Sequence, residues 1–318
     1  MGYGKKMNKK SLRIVYMGTP EISASVLERL VLAGFDIVGL VAQKDKPVGR
    51  KGILEPVPTK KVAMKYDIPI FQPEKIRLDY EFLKEINPDL IITLAYGQIV
   101  PQGVLDIPRF GAINLHGSLL PKYRGASPIQ AALINGDKVT GVTLMEMTAK
   151  MDAGRMYAKK EVEISDNDNA TSLFEKISVA AGDLILDSIE DYVDGKLVGE
   201  EQDESLVSIC HIIKPEQEKL SLMMGVKELY GWVRALSLEP GAYLLLNEEK
   251  FKIFKASIAN YDVTGEVGQI VKADKGGLYL QCKDGQLSLL EVQKQGKKRM
   301  DYKSFLNGSP NLLNQLLK

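Results

Sequence analysis

The chain has 318 residues, 45% hydrophobic and 26% charged, with a formal net charge of +1. That length suits two domains of ordinary size, and the composition is that of an ordinary soluble globular protein. The near-zero charge excludes a global field that would draw in nucleic acid, so any such partner must be met by a local patch. Cys210 and Cys282 are the only cysteines, without paired spacing, which argues against a disulfide scaffold or a zinc site and fits a reducing compartment.

The leader MGYGKKMNKK is basic, but the apolar run after it, Ile14–Met17, is too short for a secretory core. Lys6 stands where a myristoylation signal needs Ser or Thr, and no apolar stretch approaches membrane-spanning length. These features predict a cytoplasmic protein with no membrane partner and a disordered leader over residues 1–10.

Leu12–Met17 reads as a first buried strand. Gly18-Thr19-Pro20 ends it, with Thr19 placed to cap and Pro20 to open a helix running to about Ala33. Asp36–Ala42 is predicted as a second strand, completing a βαβ unit. The turn between them lacks the G-x-G-x-x-G pattern, which counts against a dinucleotide cofactor. Gln43–Thr59 is predicted as a long irregular loop carrying Lys44, Lys46, Arg50 and Lys51 against Asp45 and Glu55. It reads either as a solvated surface loop or as a mobile clamp for phosphates. A helix near Val57–Tyr66, a short strand at Ile70–Phe71 and a helix near Asp79–Ile86 follow. Leu90–Ala95 is a continuous apolar run of the kind a parallel strand covered on both faces requires, and Tyr96-Gly97 lies just past its end.

The segment Gly111–Gly136 is the most informative. Ala112–Leu115 predicts a buried strand, a polar turn follows, and Pro128 suits the first position of a helix. Polar groups therefore gather where a strand gives way to a loop, the place where open α/β sheets bind ligands. Strands are predicted over Val139–Met147 and Arg155–Ile164, separated by a loop holding Asp152-Ala153-Gly154, then a long helix over Ala170–Tyr192. A polar connection runs from Asp194 to about Lys214. Beyond it, a helix near Gly225–Leu236 precedes short strands at Gly241–Leu246, Lys252–Ala256, Gly265–Val271, Gly277–Cys282 and Gln286–Val292. That spacing suggests a small barrel, and terminal helices are predicted near Asp301–Leu306 and Asn311–Leu317. The fold class is thus α/β, a Rossmann-like, mostly parallel sheet over residues 11–194, a linker over 195–214, and an OB-like β-barrel over 215–318.

Asn114 and His116 alternate with Leu115, so in a strand they point to one side. Amide and imidazole donors converging there suit an oxyanion formed at a carbonyl under attack. A carboxylate is needed to orient the imidazole, and Asp152 is the best candidate, lying in the loop after a neighbouring strand. The alternative is that both groups simply satisfy backbone at a strand end. His211 has no such company and reads as structural. The nucleophile elbow, the P-loop and the H-E-x-x-H helix are all missing from the sequence, and no metal is implied.

Asn114-Leu115-His116-Gly117-Ser118-Leu119-Leu120-Pro121, Tyr123-Arg124-Gly125 and Met151-Asp152-Ala153-Gly154 together resemble the folate-dependent formyltransferases. Gly18-Thr19-Pro20, Ala95-Tyr96-Gly97 and Gly296-Lys297-Lys298 extend the resemblance over nearly the whole chain after the leader. It implies formyl transfer from 10-formyltetrahydrofolate, with the initiator methionyl-tRNA as acceptor, and a monomer. Asn114 and His116 would stabilise a tetrahedral oxyanion while Asp152 orients His116 and helps a proton move. Ser118, Leu119, Leu120 and Pro121, with Tyr96 and Gly97 nearby, would line the folate site. Arg50 and Lys51 would meet the tRNA acceptor stem, and Lys297, Lys298 and Arg299, with Lys294, would hold its phosphates. The competing readings are a 10-formyltetrahydrofolate hydrolase, a sugar-amine formyltransferase, and a non-catalytic folate- or RNA-binding protein. The chain departs from the family pattern at Arg155, which is expected to bring a cation near the site, and at Leu220-Ser221-Leu222 and Leu238-Glu239-Pro240-Gly241 in the barrel.

Overall fold

A computed structural model describes residues 11–48, 52–237, 240–308 and 311–318. The expected leader, Arg50 and Lys51, and the Leu238-Glu239 pair lie outside the described residues. In chain order the elements are β1 (Arg13–Gly18), α1 (Glu21–Leu32), β2 (Asp36–Val41), β3 (Lys46–Val48), β4 (Ile53–Glu55), α2 (Pro58–Lys65), β5 (Ile70–Phe71), α3 (Glu81–Ile86) and β6 (Leu90–Leu94). Next come α4 (Gln102–Leu105), β7 (Ala112–His116), β8 (Arg124–Gly125), α5 (Pro128–Ile134), β9 (Val139–Glu146), β10 (Met156–Glu163) and α6 (Ala170–Val193). The remainder holds β11 (Ile209–Cys210), α7 (Val226–Ala235), β12 (Ala242–Leu246), β13 (Glu249–Asn260), β14 (Ile270–Asp274), β15 (Gly277–Cys282), β16 (Gly285–Lys294), β17 (Met300–Asp301) and α8 (Tyr302–Asn307).

These elements form two compact units that do not follow simple chain order. The first takes the described residues of Met1–Gly125 with Thr140–Glu163 and Phe174–Ile209. The second takes Ala126–Val139, Ile164–Leu173 and Cys210–Lys318.

The first unit is built on a seven-stranded sheet in the order β10-β9-β7-β6-β1-β2-β5. It is parallel from β7 through β5 and turns antiparallel where β9 meets β7. Every residue of β6 is buried, which is why its sequence, LIITL, is apolar without alternation. α1 lays Ile22, Val26, Leu27 and Leu30 into the core. Its N-cap is Pro20, with no side-chain cap, so the expected role of Thr19 is corrected. The Thr19 hydroxyl instead donates to Tyr96 O (3.1 Å) and accepts from Gln43 N–H (3.2 Å), tying together the loops after β1, β6 and β2. The expected irregular loop is also corrected, since β3 and β4 form an antiparallel hairpin pairing Lys46 with Glu55 and Pro47 with Leu54.

The second unit centres on a β-sheet in the order β12-β13-β16-β15-β14, with β17 on β16. Phe251, Ile253, Leu280, Leu287 and Val292 fill its core, and α7 packs Val226, Leu229, Trp232 and Val233 onto it. The strand expected at Gly265–Val271 begins only at Ile270. The helix expected over Asn311–Leu317 is not formed. The segment turns through Asn314, φ 65°, and only its last residues run alongside strands, with Lys318 and Leu245 exchanging backbone hydrogen bonds (2.7 and 2.9 Å) at one edge of the sheet. At the other edge Leu317 N–H donates to Gly268 O and Ile270 N–H to Gln315 O, both at 2.8 Å. One short segment thus bridges the two edges and closes the sheet into a barrel, burying Leu317 in its interior.

Candidate active site

The site candidates of the first unit gather at the carboxyl ends of β6 and β7. The parallel register sets Thr93 beside Asn114, and the Thr93 hydroxyl donates to Asn114 Oδ1 at 2.7 Å. Among the described residues, the Asn114 NH2 has no hydrogen-bond partner in the protein. Two residues on, His116 is buried, and its Nε2 lies 2.8 Å from Tyr123 O. A carbonyl oxygen only accepts, so Nε2 carries the hydrogen and Nδ1 is left as the second face of the ring. That nitrogen faces Asp152 Oδ1 at 3.6 Å, beyond direct hydrogen-bond distance.

Asp152 sits in the loop between β9 and β10 with a left-handed backbone, φ 49°. Its Oδ2 accepts the Gly125 N–H at 2.9 Å. The loop is fastened from beneath by Gln202, which is buried and whose Nε2 donates to Asp152 O (2.8 Å) and Gly154 O (2.9 Å). Gln202 Oε1 accepts from Arg124 Nε at 2.8 Å, and the buried Arg124 guanidinium reaches Glu204 at 2.9 Å. The hydrogen bond from Arg124 holds the Glu204 carboxyl below its ordinary pKa. Gly154 is required by close approach, because a Cβ there would lie 2.0 Å from Glu146 O.

The expected folate-lining turn divides by burial. Ser118 is fully buried and its hydroxyl donates to Lys122 O at 2.6 Å, while Leu120 packs with Met145 and Met156. The Leu120–Pro121 peptide is cis, and the turn is braced by Thr143, whose hydroxyl donates to Ser118 O (2.7 Å) and accepts Leu120 N–H (3.0 Å). Leu119 and Pro121 are half-buried. Tyr96 is buried, its hydroxyl has no partner among the described residues, and burial pushes its pKa up, whereas Gly97 is exposed with φ 88°.

Arg155 does not carry a free cation into the site, since its guanidinium is paired with Glu146 (2.9 and 3.3 Å). In the second unit Arg299 pairs with Glu291 and stacks over Phe254, and Lys294 lies 3.1 Å from Glu249. Lys297 and Lys298 are exposed with no ion pair among the described residues. His211 is exposed and takes no part in the site. The described residues contain no group of three His, Cys, Asp or Glu that could hold a metal, and no helix long and apolar enough to cross a membrane.

Sequence reasoning missed Thr93, Gln202 and Ser208, whose Oγ accepts Tyr123 N–H at 2.9 Å, and named Tyr123 only within the resemblance, with no role. Thr93 left one trace, as the single hydroxyl in an otherwise apolar strand. Gln202 and Ser208 fall in the stretch expected to be a connection, where local sequence carries no such signal.

An amide donor beside a buried imidazole and a carboxylate, at the ends of parallel strands, is an arrangement chemically suited to attack on a carbonyl group with proton transfer. The formyl transferase sequence profile matches residues 12–189 and that of the formyl transferase C-terminal domain residues 212–310, and the chain belongs to this family. It is 45% identical to a methionyl-tRNA formyltransferase of Lactobacillus acidophilus over 93% of this chain and 95% of that one. In fold it is similar to an N-formyltransferase from Helicobacter canadensis solved with folinic acid and dTDP-3-aminofucose, with a TM-score of 0.68 at 19% identity over 89% of this chain and 99% of that one. It is also similar to HypX from Aquifex aeolicus in complex with tetrahydrofolic acid, with a TM-score of 0.65 at 15% identity over 96% of this chain. The chain spans about half of the HypX chain, 48%.

Proposed function

We propose that this chain transfers a formyl group from 10-formyltetrahydrofolate to the α-amine of initiator methionyl-tRNA, acting in the cytoplasm as a monomer without a metal. The observation that carries the reading is the convergence of Asn114, His116 and Asp152 in a chain so similar to a methionyl-tRNA formyltransferase. When bound, the folate supplies an activated formyl carbon on its N10. The unpartnered Asn114 NH2 fits the oxygen of that formyl group, which gains charge as the amine attacks. One C–N bond forms to the amine, the bond to N10 breaks, and one proton passes from the amine to N10. His116 is held through Nε2 by Tyr123 O, so it meets that proton through Nδ1, with Asp152 across from it. The exposed Lys297 and Lys298 suit phosphate contacts, and Arg50 and Lys51 enter the reading from sequence alone.

The test is an assay with 10-formyltetrahydrofolate and charged initiator methionyl-tRNA, run beside charged elongator methionyl-tRNA and folate alone. Rapid formylation of the initiator only is expected. Formate release without tRNA would make the chain a hydrolase. Folate binding with no chemistry in any tube would make it a binding protein.

A further inference from the structure

We propose that Thr93 is a positioning residue that sets the orientation of the Asn114 amide; this rests on reading Asn114 as the donor to the reacting carbonyl. An Asn side chain is nearly symmetric in shape but not in chemistry. Turned one way it presents NH2 to an oxygen that gains charge, and turned the other way it presents a repelling carbonyl. Something must select the first orientation, and the only hydroxyl in β6 is placed to do so.

Thr93 and Asn114 are paired in register on adjacent parallel strands. The 2.7 Å separation of Thr93 Oγ1 and Asn114 Oδ1 is the ordinary length for O–H···O and short for N–H···O. It therefore marks the hydroxyl as donor and the amide oxygen as acceptor, which turns the NH2 away from the strand. The other acceptors within reach, Ile113 O at 3.3 Å and Met147 Sδ at 3.1 Å, are more distant. Thr93 is 2% exposed, so bulk water does not compete, and a β-branched side chain holds one χ1 rotamer more firmly than a serine does.

Thr93→Val keeps the shape and removes the donor. The amide oxygen is then unpaired and the amide is free to turn over. Turnover should fall about 10–100-fold, less than the roughly 10²–10³-fold typical of deleting such a donor outright, because the correct orientation is still visited. KM for folate and for tRNA should stay within about threefold, since orientation matters most once charge develops on the oxygen. Thr93→Ser restores the hydroxyl and should recover most of the rate.

The deciding measurement is a double-mutant cycle. If Thr93 acts through Asn114, adding Thr93→Val to Asn114→Ala changes turnover no further. An additive loss in that background, or full activity of Thr93→Val alone, overturns the proposal while leaving Asn114 in its role. Full activity of Asn114→Ala overturns the proposal together with the reading of the site beneath it. Folate affinity and the thermal transition of each variant report whether the fold is kept, and Thr93→Ala, which also removes the donor, takes the place of Thr93→Val in the cycle if Thr93→Val does not fold, with the same two outcomes deciding.

Discussion

Asp152 Oδ2 accepts the backbone N–H of Gly125 at 2.9 Å, joining the loop after β9 to the turn after β7. The same carboxylate turns its other oxygen to His116 Nδ1 at 3.6 Å. One oxygen is thereby committed to holding the loop, and the other faces the imidazole. Asp152→Asn keeps an oxygen for Gly125 but replaces the charge facing His116. Turnover should fall about 10²-fold or more, the range of general acid–base assistance, with folate affinity within about threefold. Stopped-flow turnover set against equilibrium folate binding checks this, and a binding loss as deep as the rate loss would sink the assignment.

Gln202 is buried and holds the Asp152 loop through its side-chain amide. Gln202→Leu strips donors from Asp152 O and Gly154 O and an acceptor from Arg124 Nε. Three groups left unpaired at about 1–3 kcal/mol each put the loss at about 3 kcal/mol or more, which urea unfolding of the first unit should register. Turnover should fall as well, because the left-handed backbone at Asp152 loses its support.

Arg155 was expected to bring a cation to the site, and its pairing with Glu146 changes that expectation. Arg155→Ala should leave turnover with initiator tRNA within about threefold, as befits an exposed ion pair. A tenfold or greater change in acceptor preference would mean that the guanidinium leaves Glu146 when substrate binds.

Asp183 on α6 gives the first unit a pH dependence. Hydrogen bonds from Lys160 and Arg29, then their charges, hold its carboxyl below the ordinary value. A carboxylate depressed in the folded state binds protons more readily when unfolded. Its contribution is therefore complete above the unfolded value of about 3.9 and is lost as pH falls through the folded one. Asp183→Asn should lower the melting temperature at pH 7, and the gap to the native protein should narrow below about pH 4. Melting curves at both pH values decide it, and a gap that widens in acid would contradict the pairing.

The sequence located most of the large elements, but it placed a helix over Asn311–Leu317 that does not form and an irregular loop where β3 and β4 pair. β6 and β7 were legible because a strand covered on both faces is mostly apolar, so Thr93, Asn114 and His116 stand within otherwise apolar runs. Asn114, His116 and Asp152 were singled out by the alternation about Leu115 and by the resemblance to the formyltransferases, and the structure brings His116 and Asp152 face to face. Gln202 was not, since its partners lie 48 and 50 residues away, and local pattern carries no record of them. The segment ending in Leu317 was misread for a related reason. Leu312, Leu313, Leu316 and Leu317 are spaced as a helix would space them, yet hydrogen bonds to Leu245, Gly268 and Ile270 at the sheet edges win over that local preference. Leu317→Ala should accordingly cost about 2–4 kcal/mol, as for a buried core leucine, measured by denaturant unfolding of the full chain.

The second unit borrows α5 from the middle of the chain. It sits close enough to α7 that a Cβ at Gly231 would lie 2.6 Å from Ile134 O. The two sequence profiles divide the chain between residues 189 and 212, well after α5. A recombination event at that boundary would move the barrel and leave its helical cover behind. The face of α7 at Gly231 would then lose the Leu133–Ile134 backbone that lies against it. A barrel grafted onto another enzyme would therefore need residues 126–139 to travel with it. Part of the second unit is thus encoded ahead of the boundary between the two profiles, and an exchange of whole modules would have to respect that.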